Sequence, residues 1–359
     1  MKTIMTVILF LFVANEIGNA KADSWAPLGS GIGGENPGVR ALCVYEGLLI
    51  AAGSFAFAGD ESVSNIAAWN GLSWSKLGEG LNKTVEVLIV YKGKLIAGGA
   101  FTTAGVIPAD HIASWNGKSW SSLSTGVRGN VTSLTIYKGD LIVGGDFSVS
   151  GEVTANHIAA WDGKSWSPVG FGVNSSVSSL VVFNNLLIAG GRFRRVGFDT
   201  EAQCIAAWNG ISWAPLDAGL RVAEGGSMPS EVSSLISWKN QLIAGGRGIF
   251  VESARDYCMS IAAWNGSSWS LMGTGISSDV LAMESYNGYL IAGGWFRTAG
   301  NQKVNHIAVW NGSSWSSLGS GVRGNFVSAL AVYNKELIVG GNFITAGDTS
   351  AKNIACWKN

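Results

Sequence analysis

The sequence is poor in charged residues and in cysteine. Only 13% of its 359 residues are Asp, Glu, Lys or Arg, and the formal net charge is zero. Such sparse, balanced charge provides no basic surface for nucleic acid or for an acidic membrane, so neither partner is predicted. Four cysteines are too few to build a fold of this length from disulfide bonds, although export from the cytoplasm would permit them.

Motifs of the common catalytic and metal sites are also missing. The chain contains no H-E-x-x-H, no G-x-S-x-G and no EF-hand loop, and it has three histidines in all. We therefore predict no metal, no cofactor and no catalytic residue. Carboxylates from separate loops, such as Asp199 and Glu252, leave an enzyme as an open alternative.

Long apolar runs are absent except at the N-terminus. Lys2 precedes the apolar run Thr3–Ala14, and Ala20–Ala22 has the A-x-A form of a cleavage site. The run is shorter than the roughly 20 residues that span a bilayer. We predict a signal peptide over residues 1–22 and a mature chain over residues 23–359 that is secreted, periplasmic or extracellular and does not insert into the membrane. An uncleaved anchor is the alternative.

Glycine and tryptophan, in contrast, are abundant, with 50 and 16 residues, and most of them belong to an internal repeat. Its period is about 46 residues, in the range for a unit of four strands. We name the strands a (V-x-x-L-x-V-Y), b (L-I-A-G-G-x-F), c (I-A-x-W) and d (S-W-x-x-L-G). Because N-G-x-S forms a short hairpin loop between c and d, the two tryptophans that flank it are expected to pair.

The two ends of the chain complement each other. The last unit stops after strand c at Trp357, whereas the mature chain begins with an isolated strand d, Ser24–Gly31. The strand-d tryptophans are Trp25, Trp74, Trp120, Trp166, Trp213, Trp269 and Trp315. We predict an all-β fold in one domain: a seven-bladed β-propeller with four-stranded antiparallel blades, its ring closed by the N-terminal strand that completes the last blade.

The repeat resembles the kelch and galactose-oxidase group of β-propellers, because Gly-Gly ends strand b and a tryptophan lies in strand d. It is still more similar to secreted propeller repeats of bacterial surface proteins and to the fungal cortical cell-polarity marker domain, which share I-A-x-W-N-G-x-S-W. The resemblance implies the fold and no particular activity, because one fold carries many functions.

Repeat positions separate scaffold residues from candidates for a site. His111, His157 and His306 each stand before I-A, on separate units, so we interpret them as structural polar residues. Fourteen tryptophans occupy the strand c and d positions, and Trp238 takes the aromatic position of strand a. Trp295 follows Gly-Gly, where other units have small, polar or charged residues, and we predict that it is exposed at a rim.

Loop lengths point to one face for binding. All length variation falls in the d–a and b–c loops, which share one face of an antiparallel blade, and function usually lies on variable loops. The loops of units 4 and 5, counted from the strand a at Val39, are long and charged. The predicted ligand-binding residues are Arg192, Arg194, Arg195, Arg247, Arg255 and Trp295. Arginine suits carboxylate recognition; an internally salt-bridged loop cluster is the alternative.

The sequence thus predicts a monomeric, non-enzymatic binding module that recognises an extracellular glycan or protein surface through the d–a/b–c face. The alternatives are a lyase or glycosidase that uses loop carboxylates, and a purely structural surface protein.

Cys204 and Cys258 lie at similar repeat positions and could form a disulfide or remain isolated thiols. Cys43 and Cys356 are expected to be buried free thiols.

Overall fold

The structure is a computed structural model that describes residues 25–217, 220–222, 230–251 and 260–358. The predicted signal peptide, Arg255, Glu252 and Cys258 lie outside the described residues. Within the described ranges all regular structure is β-strand, so the prediction of an all-β fold is confirmed. No helix in these ranges is long and apolar enough to cross a membrane.

Four strands recur in each unit at the positions that the repeat predicts. Strand a covers Gly38–Tyr45, Val85–Tyr91, Val127–Tyr137, Val177–Phe183, Glu231–Trp238, Val280–Tyr286 and Val322–Tyr333 in units 1 to 7. Strand b covers Leu48–Ser54, Lys94–Gly99, Asp140–Ser150, Leu186–Gly191, Gln241–Arg247, Tyr289–Gly294 and Glu336–Ala346. Strand c covers Ile66–Trp69, Ile112–Trp115, Ile158–Trp161, Ile205–Trp208, Ile261–Trp264, Ile307–Trp310 and Ile354–Trp357. Strand d covers Trp74–Lys76, Trp120–Ser122, Trp166–Pro168, Trp213–Pro215, Trp269–Leu271, Trp315–Ser317 and, for unit 7, Trp25–Pro27.

These strands form separate antiparallel sheets in the order a–b–c–d, which are the predicted four-stranded blades. The c and d tryptophans are direct cross-strand partners, as in Trp69 and Trp74, whose ring centroids lie 5.2 Å apart. Trp25 pairs with Trp357 in the same way at 5.1 Å, so the first described strand completes the sheet of the last unit.

The d–a and b–c connections are themselves short β-structures, which the sequence pattern did not predict. Additional two-residue strands are Ile32–Gly33, Phe57–Ala58, Glu61–Ser62, Thr103–Ala104, Ile107–Pro108, Val153–Thr154, Arg195–Val196, Thr200–Glu201, Arg221–Val222, Ile249–Phe250, Thr298–Ala299, Gln302–Lys303 and Thr349–Ser350. The b–c connection of unit 4, for example, is a hairpin in which Arg195 pairs with Glu201. The loops of this face are therefore held in place by main-chain hydrogen bonds.

Adjacent units are joined by hydrogen bonds at repeat positions. The strand-d indole donates its N–H to a carbonyl of the preceding unit, as in Trp120 Nε1 to Leu77 O at 2.9 Å. The strand-a tyrosine hydroxyl donates to the a–b turn of the following unit, as in Tyr91 Oη to Gly139 O at 3.2 Å. Trp238, which takes this position in unit 5, is buried as predicted.

The first glycine of the Gly-Gly pair in strand b lies in close contact with the next unit. A Cβ built on the first glycine of unit 3, Gly144, would lie 2.6 Å from Cγ1 of Val177 in unit 4. A Cβ on Gly340 of unit 7 would meet Val39 of unit 1 at the same 2.6 Å. Packing between units therefore requires the first glycine, whereas a Cβ on the second, such as Gly145, would lie 2.0 Å from Asn130 O of its own unit.

The residue before I-A adopts a left-handed conformation in every unit, with φ between 50° and 65°. Asn65 shows why a polar residue suits the position, because its Oδ1 accepts a hydrogen bond from Phe55 N and its Nδ2 donates to Leu81 O. The three histidines share this φ, and each is on a different unit. Their repetition is thereby accounted for by the backbone position.

We expect Trp25→Ala to destabilise the fold by about 3–5 kcal/mol, the usual cost of truncating a buried aromatic residue. The change removes the ring that packs on Trp357 and weakens the outer strand of unit 7. Urea denaturation would measure the free energy of unfolding, with Leu72→Ala as the control, because Leu72 is 88% exposed. An equal effect of the two changes would show that the N-terminal strand contributes little to the fold.

Candidate functional site

A cavity of about 420 Å³ opens where the a strands begin and the b strands end. Every unit contributes to its wall: Arg40, Glu86, Asn130, Thr132, Ser178, Arg192, Glu231, Ser233, Arg247, Leu281, Trp295, Phe326 and Ser328. We call it the strand-a cavity. These ends of strands a and b carry the d–a and b–c connections, so the cavity lies on the face that the sequence predicts for binding.

Three of the predicted site residues, Arg192, Arg247 and Trp295, meet in this cavity. They share one repeat position, the residue directly after Gly-Gly, which explains why they converge. Trp295 is 47% exposed, as expected for a solvent-facing residue. It is also one of the residues that line the cavity.

Trp295 is part of an aromatic platform that sequence reasoning missed. Its indole packs on Phe326, with ring centroids 4.7 Å apart and planes 34° apart. The guanidinium carbon of Arg40 lies 5.5 Å from the centre of the Phe326 ring, within cation–π distance. Within the described residues Arg40 takes part in no ion pair as close as 4 Å, and its side chain is exposed. Phe326 itself is buried, so the exposed apolar surface is the Trp295 indole, which Phe326 supports from below and which lies near the Arg40 cation.

The two cavity arginines are held by carboxylates. Arg192 Nε lies 3.0 Å from Glu231 Oε2, and the other oxygen of Glu231 accepts a hydrogen bond from Ser178 Oγ at 2.5 Å. Arg247 Nε donates to Asp279 Oδ2 at 2.7 Å, and this contact raises the pKa of Arg247. Both guanidinium groups therefore occupy fixed positions in the wall, as the salt-bridged alternative expected, and both still line the cavity.

Glu86 adds a carboxyl group whose pKa is shifted by its surroundings. Burial raises the pKa of the Glu86 carboxyl above its ordinary value of 4.5, and the nearby charge of Arg40 lowers it in part. Glu86 and Arg40 are equivalent residues of strands a in neighbouring units, each directly after the strand-a valine. The cavity thus combines a desolvated carboxyl with an exposed guanidinium.

Neutral polar groups complete the wall. Thr132 Oγ1 donates to Val177 O at 2.5 Å, and Ser328 Oγ donates to Val39 O at 2.6 Å, so both hydroxyl groups join neighbouring units. Asn130 Oδ1 is buried and accepts no hydrogen bond from any described residue. A bound hydroxyl or amide N–H would satisfy that acceptor.

The other predicted arginines lie elsewhere. Arg194 contacts the Cys204 thiol, and Arg195 Nη1 lies 2.9 Å from Asp199 Oδ1 on the b–c hairpin of unit 4. Asp199, considered from sequence as one of a carboxylate pair with Glu252, thus forms an ion pair with Arg195. Glu252 and Arg255 lie outside the described residues. The arginine cluster of units 4 and 5 is divided between at least two places.

The three cysteines among the described residues, Cys43, Cys204 and Cys356, are free thiols. Cys204 is buried, and burial raises its pKa to about 11 despite the opposing charge of Arg194. Cys43 and Cys356 are also free thiols, the first partly and the second fully buried. Cys258, the other half of the disulfide considered for Cys204, lies outside the described residues.

Arg40, Glu86 and Phe326 are among the cavity residues that sequence reasoning missed. Each lies within one residue of the strand-a valine, a position treated as part of a regular strand. Arg40 and Glu86 follow the valine, and Phe326 precedes it. Across the units these two positions hold charged, hydroxyl-bearing and apolar residues, whereas the valine between them is the same in every unit. The same test of variability that singled out Trp295 would have found them.

The comparisons with known proteins show the fold alone. No family model and no curated protein matches the chain. One similar solved structure is the extracellular domain of a protein described as a hybrid two component system from B. thetaiotaomicron, with a TM-score of 0.61 and 11% identity over 94% of this chain; the chain spans only 40% of that structure. The WD40 β-propeller domain of Doa1 has a TM-score of 0.54 and 15% identity, covering 92% of this chain and 96% of its own. The computationally designed protein Ika8 has a TM-score of 0.52 and 16% identity over 92% and 98%. The chain is therefore an all-β propeller with four-stranded antiparallel blades.

We expect Glu86→Gln to stabilise the protein at neutral pH and to leave its stability unchanged below pH 4.5. An acid with a raised pKa in the folded state binds its proton more tightly there than in the unfolded chain, so its ionisation lowers stability as the pH rises from 4.5 through the raised pKa. Glutamine does not ionise, so the variant does not lose stability in this way as the pH rises. Urea denaturation at several pH values would measure it, with exposed Glu79→Gln as control; a gain that does not depend on pH would contradict the assignment.

Proposed function

We propose that the protein is a secreted, monomeric recognition module that binds an extracellular glycan in the strand-a cavity without catalysing a reaction. The observation that carries the proposal is the exposed Trp295 indole, packed on the buried Phe326, inside a cavity whose remaining wall is rich in hydrogen-bonding groups. Aromatic faces stack on the apolar faces of sugar rings, while fixed polar groups orient the hydroxyls. A protein surface is the alternative ligand from the sequence, and a concave cavity of about 420 Å³ suits it less well.

The proposal includes a seven-bladed ring closed by the N-terminal strand. It is supported by contacts between unit 7 and unit 1, such as Tyr333 Oη to Gly47 O at 3.2 Å and Asn342 Nδ2 to Pro37 O at 2.7 Å. It is also supported by the shared wall of one cavity, to which every unit contributes. A closed ring would fix the cavity at the axis, where all the a strands meet.

Secretion and kelch-type kinship are further parts of the proposal. Secretion rests on the N-terminal sequence of residues 1–22 and accords with a structural neighbour that is an extracellular domain. Kinship with the kelch and galactose-oxidase group rests on the Gly-Gly and tryptophan positions, for which the packing of Gly144 against Val177 gives a structural reason.

An enzyme is the second candidate, and one observation favours it. Glu86 and Glu231 are two carboxyl groups in the wall of the same cavity, and burial raises the pKa of Glu86, as is common for catalytic acids. A glycosidase or lyase of this kind would show turnover of a bound polysaccharide. Loss of that turnover in Glu86→Gln with binding retained would establish it over the binding module.

A glycan panel tests the proposed function. The mature chain and its Trp295→Asn variant would be applied to immobilised cellulose, xylan, laminarin, chitin, pectin and alginate. The substitution introduces into unit 6 the residue that unit 7 has at the same position, Asn342. We expect selective binding by the wild type and at least tenfold weaker binding by the variant, since an aromatic contact contributes about 0.5–1.5 kcal/mol beyond its buried area.

The control for this panel is Leu72→Ser, which introduces the residue of unit 5, Ser267, into the c–d hairpin on the opposite face. It should bind as the wild type does. Equal binding by Trp295→Asn and the wild type would overturn the assignment of the cavity, and binding of no glycan would overturn the proposed function.

A further inference from the structure

A second pair of aromatic residues lies on the same face, away from the strand-a cavity. Phe171 in the d–a connection is 68% exposed, and Phe198 at the tip of the unit 4 b–c hairpin is 91% exposed. Their ring centroids lie 6.1 Å apart with planes at 76°. Two large apolar side chains so exposed, from separate loops yet in contact, form a surface that a ligand would cover favourably.

The other units serve as internal controls and show that the scaffold does not require these residues. The position of Phe171 holds Ser30, Glu79, Thr125, Ala218, Thr274 and Ser320 elsewhere. The position of Phe198 holds Asp60, Val106, Glu152, Asn301 and Asp348 in the other units with this hairpin. Phenylalanine occurs at both positions only where the two side chains touch, which points to a shared role.

The pair borders a groove of about 430 Å³, here called the Phe198 groove, which also has polar groups in its wall. Arg195 and Asp199, joined by their ion pair, present donors and an acceptor side by side. Asn174 accepts hydrogen bonds from the backbone of Arg194 and Arg195, both at 2.9 Å, and so fixes the hairpin. The groove therefore pairs an aromatic surface with fixed polar groups, as the strand-a cavity does.

One short segment connects the two places. Arg192 lines the strand-a cavity, whereas Arg195 and Phe198 line the Phe198 groove. Phe198 lies six positions after Arg192, so their Cα atoms are at most about 20 Å apart even if the chain between them is fully extended. A ligand of several sugar units would reach from one to the other along a single hairpin.

Resting on the proposed function, we infer that the ligand is an extended oligosaccharide that occupies both places. One part of it stacks on Trp295 in the strand-a cavity, and a more distant sugar unit packs on Phe171 and Phe198 with Arg195 and Asp199 at its hydroxyls. The domain then selects long chains over short ones. The Phe198 groove adds affinity only for chains that reach it, as a second linked contact does.

Isothermal titration with cello-, xylo-, laminari- and chito-oligosaccharide ladders, from disaccharide to hexasaccharide, tests the inference. The variant is Phe171→Thr with Phe198→Asn, which restores residues found at these positions in units 3 and 6, Thr125 and Asn301. We expect wild-type affinity for the bound series to rise about tenfold with chain length, the gain of an aromatic contact of about 1.4 kcal/mol. The variant should lose that gain and keep the wild-type affinity for short members.

The matched control is Val106→Asn, because Val106 occupies the same hairpin-tip position in unit 2 and is also 91% exposed. It should retain the full dependence on chain length. Length dependence that survives in the phenylalanine variant, or affinity that is equal for short and long members, would overturn the inference and leave the proposed function intact. Binding of no ladder by the wild type would overturn the inference, while the polysaccharide panel decides the proposed function separately. Trp295→Asn should weaken binding at every length, which distinguishes loss of the strand-a cavity from loss of the Phe198 groove.

Discussion

The tryptophan pair across the c–d hairpin is the interaction on which the rest of the structure depends. Strand d is only three residues long, and a strand so short makes few hydrogen bonds of its own. The pair compensates by burying two indole rings against each other, as in Trp115 and Trp120 at 5.3 Å. The indole N–H of Trp120 also bonds to Leu77 O of the preceding unit, so the same residue completes one blade and attaches it to the next.

This uniform scaffold makes departures from the repeat informative. Where every unit has the same residue, as at the strand-a valine, packing between units explains it. Where one unit alone has an exposed aromatic residue, packing does not. Trp295, which packs on the buried Phe326, is one such departure, and the Phe171–Phe198 pair is another; in each case two residues far apart in sequence touch. Convergence of this kind is a stronger sign of a ligand surface than any single exposed residue.

Three arginines of the predicted cluster are paired with carboxylates, which changes the interpretation of the arginine-rich loops. Arg192, Arg195 and Arg247 each lie beside a carboxylate, so they provide oriented hydrogen-bond donors with little net positive potential. Such a wall suits a neutral polyhydroxylated ligand better than an acidic polymer, because each hydroxyl group both donates and accepts. Among the described residues of the cavity wall, Arg40 is exposed, stacks on Phe326 and has no carboxylate within 4 Å, so its charge could discriminate among such ligands.

The sequence by itself determined the strands, their order within each unit, the tryptophan pairs and the joining of Trp25 to the last unit, because these follow from local pattern and from the spacing of a repeat. It also identified Arg192, Arg247 and Trp295 as variable at one repeat position, and hence on one face. Only the tertiary structure decided that these three meet Arg40, Glu86 and Phe326 in one cavity while Arg194 and Arg195 do not. The reason is that side chains from different units meet only through the packing of blades, and neighbours in sequence, such as Arg192 and Arg195, are carried to different places by the hairpin between them.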